Sequence, residues 1–574
     1  MPNLKKSIVS VLLLSTWIYA LPASLNAIVN KSGIPKKDIS IYIKEAGDSK
    51  RVVAALNANV TRTPASVIKV FSTYAAILKL GFDYRWPTEF YTTGKIKNGL
   101  LKGDLLVKGY GDPTLSSKDL NSIVAQIKAK GIRNITGNIV IDRSYFSVGT
   151  KNNSGFDKHT YSPYNAMPDA MMFNERISTI CVAPNKNSVR KKVPDGSYVL
   201  QNNLQRVNKP CKGRYSWPGM KIDNSSGTPT VILRGKISKK CGNRNLCQVI
   251  TKPYKSFYYA LRADLKKVGI SVGGGMRINK IPKNAHKLFT HYSRSLEKIV
   301  SRTAKKSNNL YARHLLLYLG AKMYGAPATL TKGRQAVEYI LKSRGALPKG
   351  TLSIDNGCGL SRTAKLNTKL LTEVLDDGYK RYGMRWMKTL SIAGVDGTIK
   401  RRFRGTVVRN RAWMKTGTLK RVKNITGYVK SKQGRLYTVA ILVNSKAGNW
   451  KASQLQNNVM KWLVKYKGRG VVMKSATKTE PKKKAPVKTA NTKGYYIQTG
   501  SFAQAPTQTY LDKIKKLGMN YKTEKSGNYK VLVGPYTSES DARKTLDKVR
   551  KNINKNAFLV SKTERKTEGP IALY

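Results

Sequence analysis

The amino-acid sequence predicts an α/β body followed by a small, separate α+β module. Three observations carry this reading. Residues from about 28 to 467 alternate helix-like and strand-like patterns, and the whole chain of 574 residues is too long for one ordinary domain. Residues 468–493 turn into Lys, Thr, Ala and Pro with almost no apolar periodicity, as in TKTEPKKKAPVKTANTK. Such a stretch cannot bury a core and reads as a solvated, self-repelling linker. From residue 494 a compact pattern returns in the order βαββαβ.

Taken in order, the chain opens like an export signal. Lys5 and Lys6 precede an apolar run over residues 8–20, small residues follow, and Leu25-Asn26-Ala27 is the expected processing site, so residues 1–27 are set apart. An uncleaved anchor would leave the body outside the cytoplasm all the same. Later apolar runs are short, and no further span is expected. Export puts five cysteines in an oxidising compartment. The candidate pairs are Cys241 with Cys247 and Cys181 with Cys211, which leaves Cys358 over. No Cys-x-x-Cys or His-Glu-x-x-His spacing occurs, so neither a metal site nor a cofactor is expected.

The terminal module reads as a strand at 495–502 and an amphipathic helix at 507–517 stopped by Gly518. Strands at 521–525 and 529–533 flank a turn at Ser526-Gly527-Asn528. Ser538 can cap a helix to about Asn552, and residues 557–560 close the module. This order gives one four-stranded sheet with both helices on one face.

Net charge is +77, from 107 Lys and Arg against 30 Asp and Glu, spread along the whole chain. Such a field captures polyanions and weakens over roughly 8 Å in physiological salt. Export argues against nucleic acid as the partner. Carboxylate-bearing wall peptides, acidic glycans and the anionic surfaces of the envelope fit better.

The chemistry lies in three short motifs. In TRTPASVIKVFSTYAAILKLG, residues 61–81, Pro64 suits a first helical turn and Gly81 ends the helix. Ser66 and Lys69, three apart, share one face near the helix N-terminus. A serine becomes a nucleophile only when a neighbour takes its proton, and a lysine can do so only when neutral. Alone, Ser-x-x-Lys is weak, since residues 295–298 and 475–478 match it too. But Ser307-Asn308-Asn309 follows in a helical context and Lys415-Thr416-Gly417-Thr418 in a strand-like run. The three in this order form the signature of penicillin-binding proteins and serine β-lactamases.

The spacing narrows the resemblance. Ser66 and Ser307 are 241 residues apart (307 − 66), too far for a compact β-lactamase, so a large insertion separates the first two motifs. That arrangement resembles the D-alanyl-D-alanine carboxypeptidase/endopeptidase family of the penicillin-binding protein 4 type. The segments GDLLVKGYGDPTL, GNIVIDRSYF, YNAMPDAMMFNERI, DNGCGLSR and AGVDGT resemble it as well. The resemblance implies a penicillin-recognition domain at 28–84 and 291–467, with an antiparallel sheet between helices, and β-rich inserted domains at 85–290.

It also implies roles. Ser66 attacks the carbonyl between two D-alanines, Lys69 is the general base, Ser307 relays a proton to the leaving amine, and Asn309 holds the substrate amide. Lys415 keeps the potential positive and binds the terminal carboxylate with Thr416 and Thr418, next to Gly417. Backbone N–H groups of Ser66 and Thr418 form the oxyanion hole. Arg362 is expected at the substrate side chain, Asp142 at the amino end of a diamino acid, and Leu419 on that pocket's wall. Cys358 stands where the family more often has serine, either as a buried small residue or as an oxidisable thiol near the cleft. β-Lactams are the implied covalent inhibitors.

The terminal module, residues 494–574, resembles a SPOR domain through YYIQTGSF and YKVLVGPYTSESDA. That family binds peptidoglycan glycan strands stripped of peptides, and Gln498, Ser501 and Tyr529 are the expected contacts on the exposed sheet face. The joined expectation is an exported, periplasmic wall hydrolase enriched at the division septum. The rival is a non-catalytic wall-binding scaffold with an enzyme's body.

Overall fold

The strand Leu436–Asn444 is buried from Tyr437 to Val443 because it is apolar on both faces and covered on both. Val439, Ile441 and Val443 pack with the helices Ala23–Lys31 and Asn449–Lys465, while Ala440 and Leu442 pack with Lys69–Leu80 and Thr368–Met387. The computed structural model describes residues 21–472 and 493–563, apart from 48, 150, 348–351, 469, 527 and 537. These fall into two units, divided after Lys474.

In the first unit this strand sits within a seven-stranded antiparallel sheet ordered Ser391–Ile392, Ala412–Leu419, Val422–Lys430, Leu436–Asn444, Ile39–Glu45, Arg51–Leu56, Val471–Val472. N- and C-terminal segments thus close one sheet, with Ile41 opposite Ile441. The pair Val471–Val472 against Arg51 and Val52 carries the body past the expected linker boundary at 468. The rest of that linker lies mostly outside the described residues.

The insertion leaves and rejoins the body through neighbouring strands. Pro87–Thr92 and His286–Tyr292 pair antiparallel, with Pro87 opposite Tyr292. They edge a five-stranded sheet with Leu105–Gly109, Ile139–Asp142 and Met276–Ile278, and three smaller sheets lie in the same stretch.

One expectation is corrected here. The disulfide joins Cys211 to Cys241, with Cα atoms 5.1 Å apart, and Cys181 and Cys247 are free. The reason is register. Val199–Val207 and Thr230–Ser238 run parallel with Val207 beside Ser238, so Cys211 and Cys241 leave the sheet at the same end. Cys181 and Cys247 are instead held in paired strands, opposite Asn245 and Thr179. Leu25, expected within the export signal, is fully buried in the helix Ala23–Lys31, and Trp462 donates to the Ser24 hydroxyl at 2.9 Å.

The second unit has the βαββαβ order, with sheet order Tyr521–Ser526, Asn528–Tyr536, Lys493–Phe502, Phe558–Thr563. Ile497, Val531 and Val533 pack with Ile514, Leu546 and Val549 of its two helices, all on one face. Ser538 caps the second helix by accepting from the Asp541 N–H at 3.1 Å.

Candidate active site

The helix Lys69–Leu80 begins beyond a short 3₁₀ turn, Ala65–Ile68, that presents Ser66 half-exposed. Ala65 is held at φ 48°, a left-handed conformation uncommon for a residue with a side chain. Two glycines press on this turn. A Cβ on Gly359 would stand 2.0 Å from the Ala65 carbonyl oxygen, and one on Gly417 would stand 2.9 Å from the Ser66 nitrogen. Only glycine lets the 355–362 segment and the strand Ala412–Leu419 approach so closely.

Lys69 lies buried beneath the serine. Its Nζ is 2.8 Å from Ser66 Oγ, 2.8 Å from Asn309 Oδ1 and 2.5 Å from the Cys358 carbonyl oxygen. Burial brings its ammonium down to about 8, with the Cys358 thiol opposing the shift and Arg313 adding to it. Once neutral, the amine can keep donating to Asn309 and Cys358 and turn its lone pair on the serine hydroxyl. Lys415, also buried, donates to Ser307 Oγ at 2.9 Å and to the Thr416 carbonyl at 2.6 Å. Burial, and then the charge of Lys69, hold it well below its ordinary value. Both lysines are sealed from water, while the hydroxyls of Ser66, Ser307, Thr416 and Thr418 are at least partly open. Thr416 Oγ1 is also 2.8 Å from Thr398 Oγ1.

The Ser-x-Asn segment heads the helix Asn309–Tyr324, which is buried along most of its length. Asn309 faces Lys69 with its oxygen and donates its Nδ2 to the Tyr164 carbonyl at 2.9 Å, so the insertion reaches the site. The three motifs, some 350 residues apart at their ends (415 − 66 = 349), are thus brought together by direct contacts.

That architecture has relatives. Residues 21–466 match the D-Ala-D-Ala carboxypeptidase 3 (S13) family. The chain belongs to the S13 family. As a serine-type hydrolase of the penicillin-binding protein 4 type, this S13 chain is 27% identical over 479 residues to D-alanyl-D-alanine carboxypeptidase DacB of Haemophilus influenzae, across 78% of this chain and 96% of that protein. It is 27% identical over 401 residues to the D-alanyl-D-alanine carboxypeptidase of Actinomadura sp. strain R39, across 67% and 74% of the two. The crystal structure of H. influenzae penicillin binding protein 4 superposes with a TM-score of 0.64 at 26% identity, covering 78% of the S13 chain and 100% of its own. Residues 491–561 match the SPOR domain.

Other expected residues of this S13 chain fall in varied places. Arg362 is exposed, donates to the Lys420 carbonyl at 3.2 Å and lies over the Phe156 ring at 5.5 Å, beside a cleft of about 530 Å³. Leu419 ends the strand that carries Lys415, and its carbonyl accepts from Asn449. Asp142 is a correction. It is buried in the insertion, and its oxygens accept from the Ser144 and Ile281 N–H groups at 2.9 and 3.1 Å, so it is taken up in bracing the insert. The Cys358 thiol is fully buried, 3.0 Å from Asn356 Oδ1.

In the SPOR unit, Gln498 opposite Leu532 and Ser501 opposite Lys530 lie on the face away from the helices. Tyr529 departs from expectation, because alternation from Val531 and Val533 puts it on the helix side. Sequence reasoning also missed the Cys358 carbonyl and Asn424, whose Nδ2 donates to the Thr63 and Pro64 carbonyls at 2.9 and 2.8 Å and so anchors the approach to Ser66.

Proposed function

We propose that the protein hydrolyses D-alanyl bonds of peptidoglycan stem peptides, as carboxypeptidase, endopeptidase or both, through an acyl-enzyme on Ser66. One observation carries this reading: a buried lysine brought down to about 8 stands 2.8 Å from a partly open serine hydroxyl. Roughly a tenth of Lys69 is then neutral at pH 7.

Neutral Lys69 takes the Ser66 proton as Oγ attacks the penultimate D-alanine carbonyl. The Ser66 and Thr418 N–H groups receive the oxyanion, worth on the order of 10²–10³ in rate per donor. Ser307, hydrogen-bonded to Lys415, relays to the leaving amine the proton that Lys69 took, so both end as they began, and the D-alanine carboxylate rests on Lys415, Thr416 and Thr418. Water then cleaves the ester, returning the proton to Ser66. A carboxypeptidase and an endopeptidase share this acyl-enzyme and differ in the leaving group, a terminal D-alanine or the amine of a cross-linked peptide.

Arg362 beside its cleft would meet the substrate's side-chain carboxylate. The H. influenzae protein has been solved complexed with a β-lactam, and covalent inhibition by β-lactams at Ser66 is proposed here. The SPOR module would hold the exported, periplasmic enzyme on glycan strands at the septum, with Gln498 and Ser501 in contact, raising local concentration by tethering.

The test is labelling with a fluorescent penicillin followed by peptide mapping. An adduct on Ser66, absent from Ser66→Ala, is the expected result. A folded protein that takes no label would be the non-catalytic wall-binding scaffold instead. For targeting, removal of residues 494–574 should disperse a septal fusion; unchanged septal localisation would refute it.

A further inference from the structure

Three consecutive residues of the insertion, Asn174, Glu175 and Arg176, have left-handed φ values of 48°, 53° and 60°. One such residue with a side chain is uncommon, and a run of three persists only where its surroundings hold it. Here they do. Asn174 accepts from the Ser117 N–H at 3.0 Å and donates its own N–H to the Leu115 carbonyl at 2.9 Å. Arg176, buried, donates to the Met167 carbonyl at 2.9 Å and to Asn152 Oδ1 at 2.7 Å. The turn is pinned on both sides of Glu175.

What this turn presents is one carboxylate. Glu175 Oε2 accepts from Asn308 Nδ2 at 2.8 Å, and Oε1 accepts from Tyr311 OH at 3.3 Å and from Arg302. Asn308 is the middle residue of the Ser-x-Asn motif, and its own Oδ1 caps the following helix by accepting from the Tyr311 N–H at 3.1 Å. Its amide is therefore held at both ends. Its neighbours face different lysines: Ser307, itself at φ 53°, meets Lys415, and Asn309 meets Lys69. Fixing Asn308 fixes how those two side chains divide between the lysines.

We propose that Glu175 is a positioning residue for the reaction, a clamp supplied by the insertion that sets Ser307 and Asn309 through Asn308. The inference rests on acylation at Ser66, and the test separates the two. Full-length protein is mixed with a fluorescent penicillin, and initial binding is resolved from the acylation rate constant. Asn308→Asp keeps the cap oxygen but sets a second carboxylate against Glu175. It should lower the acylation rate constant about tenfold with binding changed less than about twofold. Adding Glu175→Gln exchanges donor and acceptor across the same contact and should restore the rate to within about threefold of wild type. General damage would accumulate in the double variant instead of being relieved. If Asn308→Asp does not fold, Glu175→Ala removes the acceptor and should show the same tenfold loss. An unaffected Asn308→Asp, a double variant as slow as Asn308→Asp alone, or a Glu175→Ala protein acylated at the wild-type rate overturns the clamp. Wild-type protein that takes no label overturns the Ser66 reading itself.

Discussion

Lys69 Nζ stands 2.8 Å from Ser66 Oγ, on a side chain with no exposure to water. Because burial brings that ammonium down to about 8, the proposed base would work only in the fraction that has lost its proton. Acylation by penicillin should therefore rise with pH through an apparent value near 8 and fall away below it. A second-order acylation rate measured between about pH 6 and 9 checks this. A flat profile would exclude Lys69 as the proton acceptor, as would a Lys69→Gln protein that acylates normally.

Gly417 bears on the same turn from the other side. A Cβ there meets the Pro64 carbonyl oxygen at 2.8 Å, the Ser66 nitrogen at 2.9 Å and the Val67 nitrogen at 3.0 Å. All three are backbone atoms, so relief requires the strand and the turn to part. Gly417→Ala should cost about 1–3 kcal/mol in stability, as overpacking does. Acylation should slow about 10²-fold, because reacting groups displaced by about 1 Å lose that much. Denaturant unfolding and penicillin labelling of the same variant compare the two. Loss of stability with full acylation would mean the proposed oxyanion donors do not depend on this approach.

How much of this was legible follows from what each group contributes. Lys69 reaches Ser66 and Asn309, and Lys415 reaches Ser307, through side-chain atoms that few other residue types carry, so the spacing of these motifs was readable. Cys358 contributes its carbonyl, which any residue owns, across 289 positions to Lys69. Glu175 reaches Asn308 across 133 positions from a turn whose left-handed φ values no composition announces. Asp142 sits in a motif the family resemblance flagged, yet its oxygens brace the insertion. The terminal module was legible almost throughout, because its strands and caps are local; Tyr529 failed only in the choice of face.

The cysteines went unread for a related reason: strand register decided their pairing, and spacing does not reveal register. The Cys211–Cys241 bond closes a separation of 30 residues, for which chain entropy gives about 3–4 kcal/mol. Cys211→Ser should loosen residues 178–248 to proteolysis while leaving penicillin labelling intact, since no motif residue lies there. Non-reducing peptide mapping reads the pairing directly, and a Cys241–Cys247 or Cys181–Cys211 peptide would refute it.

The last prediction concerns where the mature chain starts. Leu25 and Val29 are fully buried against the sheet face that also receives Asn449–Lys465, and Ser24 accepts from Trp462. Processing after Ala27 would strip Leu25 from that core, and emptying a leucine site costs about 2–5 kcal/mol. If the chain is exported and processed as proposed, the mature protein should therefore retain residues 24–27, with cleavage further upstream. Intact-mass measurement of the secreted protein distinguishes the two, and Leu25→Ala should reproduce the same loss in denaturant unfolding. A mature chain beginning at Ile28 with undiminished stability would show that the helix Ala23–Lys31 adds nothing to the fold.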